Sequence, residues 1–134
     1  MRLSPNEVAW LTLKIGLWTP VDAVTGTAVA FAESGFYVDA MNVQHPPNVD
    51  LGLWQISNKW HGTKLQRYRW RDPYDCTRMA RLVFDEFVKR PEADGWRAWT
   101  AYLNGAYLEF IDMATLAVQY PVEPVNPHTV AWRR

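Results

Sequence analysis

Ala23-Val24-Thr25-Gly26-Thr27-Ala28-Val29-Ala30-Phe31-Ala32-Glu33-Ser34-Gly35 is the stretch on which the reading of the fold turns. It follows a restart at Thr19-Pro20, and Val21, Val24, Ala28 and Phe31 or Ala32 recur at helical spacing. Gly26 weakens the pattern slightly, since glycine in a helix costs about 1 kcal/mol relative to alanine. Ser34 and Gly35 are the expected stop, because glycine takes the left-handed helix-end conformation without a Cβ clash. The spacing therefore predicts a largely buried helix over 20–33 with Glu33 in its last turn. So apolar a helix has little use for a terminal Glu as a solubilising group. Next to Phe31, Phe36 and the aromatic middle of the chain, the carboxyl is expected to be partly desolvated, which raises its pKa. The negative end of the helix dipole pushes the same way. A carboxyl that keeps its proton near neutral pH is suited to general acid catalysis. The competing reading is a solvated Glu at a frayed helix end, and local sequence leaves both open.

Upstream, Ser4-Pro5-Asn6-Glu7 reads as a capping box with proline at the first helical position. Val8, Leu11, Ile15 and Trp18 continue at helical spacing, so a first helix is predicted over 5–17. Downstream, residues 36–50 have loop composition, with Asn42, His45, Pro46, Pro47 and Asn48. Leu51 to Ser57 reads as a short strand or turn-rich segment. Asp72-Pro73 is a second helix start, followed by a stripe of Cys76, Met79, Val83 and Phe87. A loop at 91–95 precedes helical pieces at 96–103 and 105–118, broken at Asn104-Gly105. Pro121, Pro124 and Pro127 predict an extended tail. The organisation is one mainly helical domain over 1–120, with a small central β or loop subregion, and a proline-rich tail over 121–134.

Composition narrows the function classes. A chain of 134 residues fits one domain. Fourteen basic and fourteen acidic residues cancel, which argues against nucleic acid, since phosphate binding needs a basic excess. Eight Trp and six Tyr supply rings that fill a core or stack on flat polar ligands such as sugars, and most are expected in the core. Cys76 is the single cysteine, so the chain forms no internal disulfide and has no cysteine-based metal framework. His45, His61 and His128 lie far apart with no metal-ligand spacing, so neither metal nor cofactor is expected. No apolar run approaches the roughly 18 residues of a membrane span. The apolar stretch from Val8 to Trp18 is interrupted by Lys14 and lacks the flanks of a signal peptide. Arg67, Arg69, Trp70, Arg71, Arg78 and Arg81 form a basic, aromatic stretch expected to flank a cleft or meet anionic groups.

Glu33-Ser34-Gly35 at a helix end, then Gly52-Leu53-Trp54-Gln55-Ile56, then Ala101-Tyr102-Leu103-Asn104-Gly105, come in an order that resembles the lysozyme-like superfamily. The likeness is to its goose-type and soluble lytic transglycosylase group in particular. It covers about residues 20–118 and includes the Asp72-Pro73-Tyr74-Asp75 segment, although Leu103 is inserted in the third motif. The resemblance implies an α+β lysozyme-like fold with a cleft, and cleavage of peptidoglycan between N-acetylmuramic acid and N-acetylglucosamine. It implies Glu33 as acid/base and puts Ser34, Gln55, Tyr102 and Asn104 on the substrate side. Trp54 reads equally as a stacking platform or as core. A second carboxylate is expected at Asp50, just before the cleft segment, with Asp39 as the other candidate. Lytic transglycosylases of this group work with one Glu, because the substrate's own 6-hydroxyl attacks, but Asp50 tilts the reading towards hydrolysis. The expected partners are glycan strands and proteins of a virion or delivery machine, with no nucleic acid and no membrane. A protein made in the cytoplasm without an export signal would reach the wall through a phage virion, a holin or a secretion machine. The alternatives are a virion tail component with this fold but no catalysis, and a wall-binding module.

Overall fold

A computed structural model describes residues 1–125. Helix α1 (Pro5–Lys14) has the expected capping box, with Ser4 and Glu7 each accepting from the other's backbone N–H. It stops short of residue 17 because the Ile15 and Gly16 amides share the Leu11 carbonyl, and Leu17 turns the chain at φ 56°. Helix α2 (Pro20–Ser34) starts on a Thr19 cap and ends at Gly35 in the left-handed conformation, φ 62°. Strands β1 (Met41–Val43), β2 (Val49–Leu51) and β3 (Ile56–Ser57) form an antiparallel sheet in the order β1-β2-β3. This sheet is the small subregion expected in the middle of the chain.

Helix α3 (Asn58–Arg67) was not foreseen. It buries no residue and bends at His61, φ −130°, so it shows no apolar stripe to read. Helix α4 (Pro73–Val88) starts on the expected Asp72 cap. The pieces after residue 95 are shorter and tighter than predicted: a 3₁₀ turn (Gly95–Ala98), α5 (Thr100–Leu103), a second 3₁₀ turn (Ala106–Phe110) and α6 (Ile111–Gln119). After Tyr120 the chain lies against the start of α1, through Val122 N–H to Asn6 O at 3.0 Å. Residues 121–125 have no helix or strand, and the rest of the tail expected over 121–134, Pro127 and His128 included, lies outside the described residues.

Aromatic rings make the core. Trp96 lies 5.0 Å from Trp18, 4.9 Å from Phe84 and 5.5 Å from Trp99, centroid to centroid. Such rings bury large areas and prefer tilted or edge contacts. Gly26 in mid-α2 is explained by this cluster, since a Cβ there would stand 2.6 Å from the Trp96 ring. The buried Cys76 of α4 accepts backbone N–H bonds from Leu53 and Trp54, which fastens the turn between β2 and β3 to the helix.

Candidate active site

A cleft of about 550 Å³ runs between the helical part and the sheet. Glu33, Trp99, Ala101 and Asn104 line it from the helical side. Gln44, Asn48, Asp50, Gln55 and Trp60 line it from the sheet and the start of α3. Glu33 stands in the last turn of α2, and its Oε1 accepts the Ala101 N–H at 3.0 Å. Burial raises its pKa, and the charge of Asp50 adds to the rise, while the Ala101 bond opposes it. The aromatic neighbours differ from those expected. Phe31 and Phe36 pack on each other at 5.0 Å and do not line the cleft, where Trp99 does.

Asp50 sits in the middle of β2, opposite Asn42 on β1 and Ser57 on β3. Burial raises its pKa as well, and hydrogen bonds from Gln44 and Ser57 pull it back. The Gln44 Nε2 donates to Oδ2 at 3.1 Å. The two carboxyl groups thus share one cleft and feel each other's charge, but with different support. Glu33 is the more deeply buried, whereas Asp50 has side-chain donors that favour its ionised form. Asp39 stands apart, exposed and 3.7 Å from the Met1 amine.

The other expected site residues divide. Gln55 reaches the cleft, but its amide is already engaged: Nε2 donates to Gly52 O at 3.0 Å and Ala40 O at 3.3 Å, while Oε1 accepts from the Asn42 side-chain amide at 2.7 Å. It fixes the cleft floor. Asn104 also lines the cleft, and its Oδ1 accepts the Ala106 N–H at 2.9 Å. Three expectations need correction. Trp54 is core, with no exposed surface and its indole N–H on the Thr77 hydroxyl at 3.1 Å, so it offers no platform. Ser34 donates to Ala30 O at 2.9 Å and accepts from Phe36 N–H at 3.2 Å, which makes it a helix-end cap away from the cleft. Tyr102 turns its hydroxyl to Asp94 Oδ2 at 2.8 Å and lines no part of the cleft. That bond pushes the phenol pKa up to about 12.

Sequence reasoning missed Trp60. It is 72% exposed, lines the cleft from α3, and carries the Lys59 ammonium 4.8 Å from its ring centroid. The available signal was a Trp set in the polar run Asn58-Lys59-Trp60-His61-Gly62 with no apolar partner a helical turn ahead. Among the described residues no group of three or more His, Cys, Asp or Glu side chains is placed to hold a metal ion.

This arrangement, a helical domain facing a three-stranded sheet across a cleft with a buried acid, is a lysozyme-like one. Residues 10–101, more than half of the chain, match the family described as "Lysozyme like domain", and the chain belongs to that family. A crystal structure of a lysozyme from Litopenaeus vannamei is similar in fold, with a TM-score of 0.67 at 21% identity over 88% of this chain and 97% of that one. No curated protein matches the sequence.

Proposed function

We propose that this protein cleaves the glycan strands of peptidoglycan at the β-1,4 bond between N-acetylmuramic acid and N-acetylglucosamine. The observation that carries this is the pair in one cleft: Glu33 buried on a backbone donor, and Asp50 held by side-chain donors. Glu33 gives its proton to the leaving glycosidic oxygen. Asp50 offsets the positive charge that builds on the sugar ring, as the second carboxylate does in glycosidases, of which lysozyme is the type case. Glu33, now ionised, then takes a proton from the attacking water and is reset. Trp60 supplies an exposed ring for a sugar face, which the buried Trp54 does not offer.

Hydrolysis is favoured over attack by the substrate's own 6-hydroxyl. Asp50 has a built position opposite the helical side. The third motif, which points towards the goose-type and transglycosylase group, has its Tyr102 engaged by Asp94 instead of the cleft. The catalytic unit in this reading is residues 1–120. Delivery by a phage virion, a holin or a secretion machine is part of this proposal. Digestion of purified peptidoglycan followed by mass spectrometry is the test. Reducing muropeptides are expected. Anhydro products would overturn hydrolysis, and an undigested wall would overturn the enzyme reading as a whole.

A further inference from the structure

We propose that Tyr102 and Asp94 are positioning residues for Glu33, acting together to aim the Ala101 N–H at its carboxyl. The inference rests on Glu33 being the acid. Ala101 belongs to α5, which has only four residues and gets no side-chain cap from Trp99. So short a helix does not hold itself, because nucleation is unfavourable and propagation adds too few bonds. Its position must come from outside. Asp94 supplies it with both oxygens. Oδ1 accepts the Trp96 N–H at 3.1 Å and starts the 3₁₀ turn, while Oδ2 accepts the Tyr102 hydroxyl at 2.8 Å, on the residue after Ala101. One carboxylate thus joins the entry of the segment to its far end. Between them, the Trp99 indole N–H reaches Trp54 O at 2.8 Å and pins the middle to the core. Tyr107 packs on the Tyr102 ring at 5.0 Å. Neither Tyr102 nor Asp94 lines the cleft, so any effect on the reaction passes through the backbone.

The charged and titratable neighbours define the readout. Tyr102 faces Asp94, Tyr107 and Arg97, and Glu33 faces Asp50. The Ala101 N–H stabilises the ionised form of Glu33, so loosening it moves the Glu33 titration to higher pH. The experiment compares the full-length protein with Tyr102→Phe and with Asp94→Asn. Glu33 is titrated through its side-chain carboxyl carbon by NMR, and the pH profile of wall lysis is measured alongside. Both variants are expected to raise the Glu33 midpoint, move the alkaline limb of lysis the same way and slow lysis several-fold. A midpoint unchanged or lowered in a folded variant overturns the proposal. So does a loss of rate equal at every pH, which is what a merely structural role gives. If Tyr102→Phe fails to fold, Asp94→Asn decides, since it keeps an acceptor for Trp96 while weakening the one for the phenol. Should the wild type fail to lyse walls, the proposed function falls, and the NMR midpoint still tests this inference.

Discussion

Replacing Glu33 by Gln removes a proton and little else. The side-chain oxygen that accepts the Ala101 N–H at 3.0 Å is retained in the amide, and the volume is nearly the same. Loss of a general acid costs about 10²–10⁴-fold in rate. At about 1.4 kcal/mol per decade, this is roughly 3–5 kcal/mol of barrier. Stability should move the other way. Burial raises the Glu33 pKa above its ordinary value of 4.5, so the folded state holds this proton more tightly than the unfolded chain. The carboxyl therefore contributes its full stability below 4.5 and loses it as pH rises through the folded value. Gln stays neutral throughout. The variant should melt higher than wild type near neutral pH and level with it at acid pH. Initial rates of wall clearing give the first quantity, and calorimetry at the two pH values gives the second. Wild-type lysis should also persist to higher pH than an ordinary carboxyl permits, since the alkaline limb follows Glu33. Lysis by the variant at the wild-type rate, or a lower melting point near neutral pH, would refute the reasoning.

Asp50→Asn keeps the β2 position but loses the negative charge, and should lower the lysis rate about 10²-fold or more, the scale of other electrostatic stabilisers; near-normal rates would remove Asp50 from the mechanism. Trp60→Ala takes away an exposed ring and should raise KM about five- to tenfold, worth about 1 kcal/mol of stacking, while kcat and the melting point hold. A kcat loss with unchanged KM would show that Trp60 does not act by binding. Gly26→Ala places a methyl 2.6 Å from the Trp96 ring, whose indole N–H is tied to Asp22 at 3.1 Å. The overpacking, about 1–3 kcal/mol, should exceed the helix gain of about 1 kcal/mol and lower the melting point by several degrees, and a rise measured by calorimetry would contradict it.

Features with local causes were legible in the sequence. The caps at Ser4 and Asp72, the stop at Gly35 and the place of Glu33 all follow from chemistry within a few residues. Asp50, expected from its place just before the segment that starts at Leu51, lines the cleft. What failed depends on tertiary direction. A tryptophan reads alike in a core and in a cleft, so Trp54 could not be assigned before its packing against Thr77 was known, whereas Trp60 is marked only by the polar run around it. Ser34 and Tyr102 carry hydroxyls whose partners, Ala30 and Asp94, are set by the fold. Helix α3 turns a half-buried face inward at Asn58, His61, Gly62 and Leu65, and only Leu65 of these is apolar, so the sequence shows no stripe. The donor to Glu33 is beyond any such reading, because every residue except proline presents the same backbone N–H as Ala101.

Burial pushes the Cys76 thiol up to about 12, so in the folded protein almost none of it is the thiolate that alkylating reagents attack. Modification must wait for an opening that exposes Cys76, and lifting of the turn at Leu53 and Trp54 from α4 is one such opening. That turn carries Gln55, which in turn binds Asn42 and Ala40. Where closing outpaces labelling, the rate with a maleimide is the rate for a free thiol multiplied by the fraction of time Cys76 is exposed, which sets an upper bound on how often the cleft floor is detached. The lone cysteine is therefore a built-in reporter of openings beneath the cleft floor, readable without substrate and without adding a probe to the sequence.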